Sequence, residues 1–195
     1  MYVILEGVDT SGKSTQIGLL KQKYTDAVFT KEPGGTKLGF SIRKIILDGE
    51  ISSIQAELFM FLADRAEHYE QIVKPNKNKL IFSDRGLISG IAYAKTNYEK
   101  FSFEELIKLN MIALNENMPN LVVLLKIDKT HIEKRLNTKK HDNIEKRGIE
   151  YLLKVQENMI EALKKMKIKY IQIDASLKIE DIHNIIINNI GNKYD

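Results

Sequence analysis

Short apolar runs recur along the chain, and longer stretches with a helical rhythm separate them. The runs are Tyr2–Glu6, Ala27–Thr30, Leu80–Ser83, Leu121–Ile127 and Lys169–Ile173. Each is rich in Val, Ile, Leu or Phe, and none alternates strictly between apolar and polar residues. A strand with one wet face alternates, whereas a strand covered on both faces has no reason to. The runs therefore predict strands of a parallel sheet. Helices are predicted between them: Lys13 to about Tyr24, Lys37–Asp48 with Gly49 as its stop, and Gln55–Lys74 ending before Pro75. Ser102-Phe103-Glu104-Glu105 is a capping box opening a helix to about Asn117, and Thr130-His131-Ile132-Glu133 reads as a second box after the fourth strand. Tyr151–Lys167 and Lys178–Ile190 complete the set. The alternation predicts an α/β fold, a parallel five-stranded sheet in three layers with helices on both faces. No repeat or low-complexity linker interrupts it, so residues 1–195 read as a single domain.

Composition narrows the setting. Hydrophobic residues make up 43% of the chain and charged residues 29%, which is a globular balance. No apolar run is long enough to span a bilayer. A strand begins within two residues of Met1, which leaves no room for a leader peptide. There is no cysteine, so neither a disulfide framework nor a thiolate metal site can form. The expectation is a soluble cytoplasmic protein without a membrane partner. The net charge of +4 raises the question of nucleic acid, but the lysines are scattered rather than striped. No nucleic-acid partner is expected; binding small anionic nucleotides explains the surplus equally well.

Ligands of such sheets sit at the carboxyl ends of the strands, so the chemistry is sought there. After the first run the chain reads Gly7-Val8-Asp9-Thr10-Ser11-Gly12-Lys13-Ser14-Thr15, a complete G-x-x-x-x-G-K-[ST] phosphate loop. Gly7 and Gly12 let the backbone turn tightly, so that successive N–H groups face phosphate oxygens. Lys13 reaches the β- and γ-phosphates, Ser14 ligates Mg²⁺, and the helix N-terminus favours the same anion. The motif specifies a nucleoside triphosphate with Mg²⁺, but neither which nucleotide nor what becomes of the γ-phosphate.

After the second run comes Lys31-Glu32-Pro33-Gly34-Gly35-Thr36, where Glu32 faces the phosphate loop across the site. Phe61 and Arg65, four apart, share a helix face. They either stack a base and clamp its phosphate or form a core ring and a surface ion pair; spacing leaves both open. After the third run, Asp84 holds the place of the second acid that steadies Mg²⁺ and its waters, and Arg85 beside it faces phosphate. The polar, cationic segment from Arg135 to Arg147 is either a solvated loop or a basic lid. His131, His141 and His183 lack metal-ligand spacing; His68, near Arg65, is likewise assigned no catalysis.

These segments resemble the thymidylate kinase family of phosphate-loop nucleoside monophosphate kinases, over essentially the whole chain. The resemblance rests on Glu6-Gly7-Val8-Asp9 through Gly12-Lys13-Ser14-Thr15, on Lys31–Thr36, on Phe61-Leu62-Ala63-Asp64-Arg65-Ala66-Glu67-His68, and on Asp84-Arg85 with Ser89 and Ala92-Tyr93. It implies transfer of the ATP γ-phosphate to dTMP, giving dTDP, in a homodimer. It implies that Phe61 stacks on thymine, that Arg65 and Arg43 line the nucleotide wall, and that Arg85 contacts the acceptor phosphate. Asp9 then organises acceptor and metal, and Tyr93 stands where a ribose 2′-OH would project. Glu32, Pro33, Ser89 and Glu145 join the implied acceptor site. The family has two designs, with an arginine in the phosphate loop or cations in the lid. Here the loop position is Thr10 or Ser11, so a lid around residues 135–148 is expected to supply Arg135, Lys139, Lys140 and Arg147. Three features depart from the family pattern: Gly86 where an aromatic is common, Gly90 where a polar residue can stand, and Asp142-Asn143 in place of Asp-Arg. The rivals are another monophosphate kinase of the same fold and a nucleotide-binding switch protein. The latter needs a guanine-reading Asn-Lys-x-Asp after a strand, whereas Asn192-Lys193-Tyr194-Asp195 follows a helical pattern.

Overall fold

The computed structural model describes residues 1–49, 51–136 and 148–191. Five parallel strands, β1 (Tyr2–Glu6), β2 (Val28–Lys31), β3 (Ile81–Asp84), β4 (Leu121–Lys126) and β5 (Tyr170–Asp174), form one sheet in the order β2-β3-β1-β4-β5. β1 lies at its centre and is buried along its whole length. Its register pairs Leu5 with Asp84 on β3 and Glu6 with Leu124 on β4. Lys31 on β2 also pairs with Asp84, so the carboxyl ends of β1, β2 and β3 lie level. Both neighbours of β1 are reached by crossovers, which makes its carboxyl end the switch point where a crevice opens.

The helices are α1 (Lys13–Lys23), α2 (Lys37–Asp48), α3 (Ile54–His68), α4 (Leu87–Asn97), α5 (Phe103–Ala113), α6 (Lys129–Leu136), α7 (Ile149–Met166) and α8 (Ile179–Ile190). Thr36 caps α2, its hydroxyl accepting from Gly39 N at 2.9 Å, and Gly49 ends that helix at φ 76°. The Ser102–Glu105 capping box opens α5 as expected.

Three elements differ from the sequence expectation. The helix predicted to Lys74 stops at His68 and continues as a π turn over Tyr69–Val73, then a 3₁₀ turn over Lys74–Asn76. The wider turn keeps Tyr69 and Val73 both in the core, and Pro75 bars a return to α-helix. α4 was not predicted, because Leu87 through Ala92 are all buried and carry no amphipathic period. α6 is capped by Asp128, whose Oδ1 accepts from His131 N at 2.9 Å, so Thr130–Glu133 is not a capping box. Asp128 comes first along the chain and is the better cap. No helix among the described residues is long and apolar enough to cross a membrane.

Candidate active site

The loop after β1 is built around forced backbone geometry. Gly7 sits at φ 147°, and a Cβ there would lie 2.6 Å from Ser11 Oγ and 2.7 Å from Leu125 O. Gly12, at φ 100°, turns the chain into α1. Lys13 folds back over the loop, its Nζ donating to Gly7 O at 2.9 Å and Val8 O at 3.0 Å. Burial lowers its pKa to about 8, with Arg85 adding repulsion and Asp9, Asp84 and Glu6 opposing the shift. The loop thus holds a cation out of water, where it interacts strongly with phosphate.

A second cluster hangs on the β3–α4 turn. Arg85 adopts φ 69°, and its Nη2 pairs with Asp9 Oδ1 at 2.5 Å. Its Nη1 donates to Gly7 O at 2.9 Å and to Ser89 Oγ at 3.1 Å. Ser89 in turn gives its N–H to Glu6 Oε1 at 3.1 Å and its hydroxyl to Glu6 Oε2. Burial raises the pKa of Glu6, against the pull of Ser89 and Arg85. Tyr93 places its ring centroid 5.7 Å from Arg85 Cζ, and burial raises its pKa. Gly86 leaves room for the Ile4 side chain: a Cβ there would lie 2.7 Å from Ile4 Cδ1, so a larger residue requires that side chain to shift.

The third cluster joins β2 to α3 and α5. Arg65 is only 2% exposed, which removes the surface ion-pair reading. Its Nε donates to Glu32 Oε2 at 2.9 Å and its Nη1 to Asn110 Oδ1 at 2.6 Å. His68 Nδ1 lies 2.8 Å from Glu32 Oε1, and its Nε2 lies 2.7 Å from Thr30 Oγ1. Burial works to raise the Glu32 pKa, but Arg65 and His68 outweigh it and hold the carboxylate below its usual range. Asp64 Oδ1 accepts from Gly34 N at 2.9 Å, which fixes the turn after β2, and Arg43 Nη1 donates to Pro33 O at 3.2 Å.

Two cavities open over these clusters. One, of about 510 Å³, is lined by Asp9 through Gln16, Asp84, Arg135, Leu177 and Ile179. The other, of about 160 Å³, is lined by Pro33, Phe61, Arg65, Ser89, Gly90, Tyr93 and Tyr151. Asp9, Glu32, Arg43 and Arg85 line both. The site therefore has two compartments, the larger one walled by the phosphate loop, and charged groups stand where they meet. The thymidylate kinase family model matches residues 5–186.

The chain belongs to the thymidylate kinase family.

Its relatives agree with this over nearly their full lengths. It is 51% identical over 195 residues to a thymidylate kinase of Nautilia profundicola, covering 100% of this chain and 98% of the relative. It is 50% identical over 186 residues to one of Aliarcobacter butzleri, covering 95% and 96%. A crystal structure of thymidylate kinase from Ehrlichia chaffeensis is similar with a TM-score of 0.77 and 25% identity, over 98% of each chain. The chain is thus a kinase, an ATP-dependent phosphotransferase with the phosphate-loop kinase fold.

Most residues expected from the sequence line the two cavities of this thymidylate kinase fold. Gly7 and Val8 do not: the Val8 side chain is fully buried in the core, and both residues serve the loop through their backbone. Arg135 bridges the phosphate loop and the β5–α8 connection, donating to Thr10 O at 2.9 Å and Ala175 O at 2.8 Å. Lys139, Lys140, Glu145 and Arg147 lie outside the described residues. Ser14 and Asp84 fit a magnesium ion. Both line the larger cavity, Ser14 is exposed, and Asp84 Oδ1 is buried with no hydrogen-bond partner among the described residues. Mg²⁺ takes few protein ligands and keeps water and phosphate oxygens for the rest.

Sequence reasoning missed Glu6, Asn110 and Tyr151. Glu6 stood immediately before the phosphate-loop motif, where it read only as the end of a strand. Asn110 and Tyr151 reach the site from α5 and α7, and their local sequence carries no signal of it. His68 was discernible, because it follows Arg65 by one helical turn and shares its face.

Proposed function

We propose that the chain transfers the γ-phosphate of ATP to dTMP, giving dTDP and ADP. The observation that carries this reading is the pair of cavities that share Asp9, Glu32, Arg43 and Arg85. A triphosphate in the larger cavity and a monophosphate in the smaller one bring their phosphates to that shared wall. The acceptor atom is already an oxyanion, so no strong base is needed, and catalysis is positioning and charge stabilisation. Lys13 sits on the donor phosphates, and Arg85, aimed by Asp9 and Ser89, sits on the acceptor phosphate. Ser14 and Asp84 would hold Mg²⁺, whose chemistry there would be to neutralise charge on the donor phosphates. The reading assigns the remaining cations to Lys139, Lys140 and Arg147 and an acceptor contact to Glu145, all outside the described residues. Arg135 steadies the loop carbonyl beside the ATP site.

Phe61 offers a flat face to a pyrimidine, and the Tyr93 ring fills the space a ribose 2′-OH would need. A homodimer fits the surface. Phe40 is 66% exposed, Phe59 59% and Ile112 67%, on the neighbouring helices α2, α3 and α5. Large apolar side chains standing in water on adjacent elements mark an interface. A single domain in the cytoplasm, where ATP is abundant, suits the reaction. Mixing the protein with ATP, Mg²⁺ and dTMP tests the reading. Equal amounts of ADP and dTDP are expected, and release of ADP without dTDP contradicts it.

A further inference from the structure

The wall of the acceptor cavity is supported from behind by a residue that the phosphate chemistry does not use. Asn110 lies on α5 and is fully buried. Its Oδ1 accepts from Arg65 Nη1 at 2.6 Å, and its Nδ2 donates to Leu106 O at 2.7 Å. The two bonds define the amide orientation. A carbonyl only accepts and a guanidinium only donates, so the nitrogen faces Leu106 and the oxygen faces Arg65. Arg65 is held at a second point by Glu32, 2.9 Å from its Nε. Gly90 on α4 completes the seat. A Cβ there would lie 2.9 Å from Arg65 Nη1 and 3.0 Å from Nη2, so a side chain would push the guanidinium out of place. The absence of a side chain at Gly90 and the amide at Asn110 therefore belong to one arrangement. Together they clamp a planar cation one helical turn from Phe61, with both residues lining the cavity.

We propose that Asn110 is a positioning residue that sets which base the acceptor cavity takes. By holding Arg65 against Gly90, it selects a base edge that carries carbonyl oxygens and disfavours one that carries an amino group. The proposal rests on the reading of dTMP as acceptor. An arginine offers N–H donors alone. A pyrimidine with carbonyls on both flanks presents an acceptor to it, whereas an aminopyrimidine sets donor against donor. That mismatch is costly only when the guanidinium cannot turn aside, because a mobile one retreats at little expense. Glu32 by itself leaves the plane of the guanidinium free to swing about one bond. The Asn110 contact removes that freedom.

The test compares wild-type protein with Asn110→Leu, which deletes the acceptor at nearly constant volume, and Asn110→Asp, which keeps one. The quantity read is the Ki of dCMP as a competitor divided by the KM of dTMP, at saturating ATP and Mg²⁺. Asn110→Leu is expected to lower that ratio about ten-fold, the size of one lost hydrogen bond to a charged group, with KM moving more than kcat. Asn110→Asp is expected to retain most of the ratio. If the leucine variant does not fold, Asn110→Ser, whose side chain is too short to reach Arg65, is read in its place. A wild-type ratio in the variant lacking the acceptor overturns the proposal, and so does an equal loss in Asn110→Asp. Failure of the wild-type protein to phosphorylate dTMP is a separate result, and it counts against the proposed reaction itself.

Discussion

Lys13 is pulled in opposite directions by folding and by ligand. Its pKa falls from 10.5 to about 8 on burial. Between those values the unfolded chain keeps the proton and the folded chain does not. Stability therefore rises with pH across that window and is lost as pH falls through about 8. Phosphate reverses the preference, because it binds the ammonium form. ATP affinity should thus weaken above about pH 8, by up to ten-fold per pH unit, with proton uptake on binding. Titration calorimetry at about pH 8.5, in two buffers of different ionisation enthalpy, reads that uptake. No uptake would remove Lys13 as the titrating contact. Tyr93 makes the other residue-level prediction. Its ring lies 5.7 Å from Arg85 Cζ and 6.3 Å from the Tyr151 ring, and all three line the smaller cavity. Tyr93→Ala should narrow the preference for dTMP over its ribose counterpart by about ten-fold in kcat/KM. An unchanged ratio excludes the steric role. The phosphate loop was legible at this scale because its chemistry is contiguous in sequence. Glu6 and Asn110 were not, since each acquires its partner, Ser89 or Arg65, only when separate elements pack together.

At the scale of elements, Glu32 ties β2 to α3 through Arg65 and His68, and Arg65 carries the tie on to α5. Removing one member leaves a buried cation without its counter-charge, which costs roughly 3–5 kcal/mol where such pairs have been broken. Glu32→Ala should accordingly lower unfolding free energy by about 3 kcal/mol or more in a denaturant titration. A loss below about 1 kcal/mol would mean that the pair behaves like an exposed one. The strands were legible to within a residue or so: in β1, β3 and β4 burial leaves an unbroken apolar run, whereas the edge strands β2 and β5 are only partly buried and were read from their aromatic and β-branched residues. α4 was not legible, and for the same reason: Leu87 to Ala92 are buried all round, and a helix without a polar face has no period to read. The end of α3 and the cap of α6 turned on competition between neighbours, Asp128 prevailing over Thr130.

For the whole molecule, the α/β class followed from the alternation of elements, but the strand order β2-β3-β1-β4-β5 did not, because crossover choice is decided by packing rather than local pattern. That order places the phosphate loop beside β3, so that Asp9 and Arg85 meet between the two cavities. The exposed apolar residues of α2, α3 and α5 predict a stable dimer. Phe40→Glu with Phe59→Glu should sediment as a monomer, and a dimer unchanged by both charges would place the interface elsewhere. The reaction itself is tested most directly by offering ATP and Mg²⁺ with dTMP, dUMP, dCMP, dAMP and dGMP, each alone, and measuring ADP release. dTMP should be the best or near-best acceptor by kcat/KM. A clear preference for a purine or cytosine monophosphate would contradict the assignment.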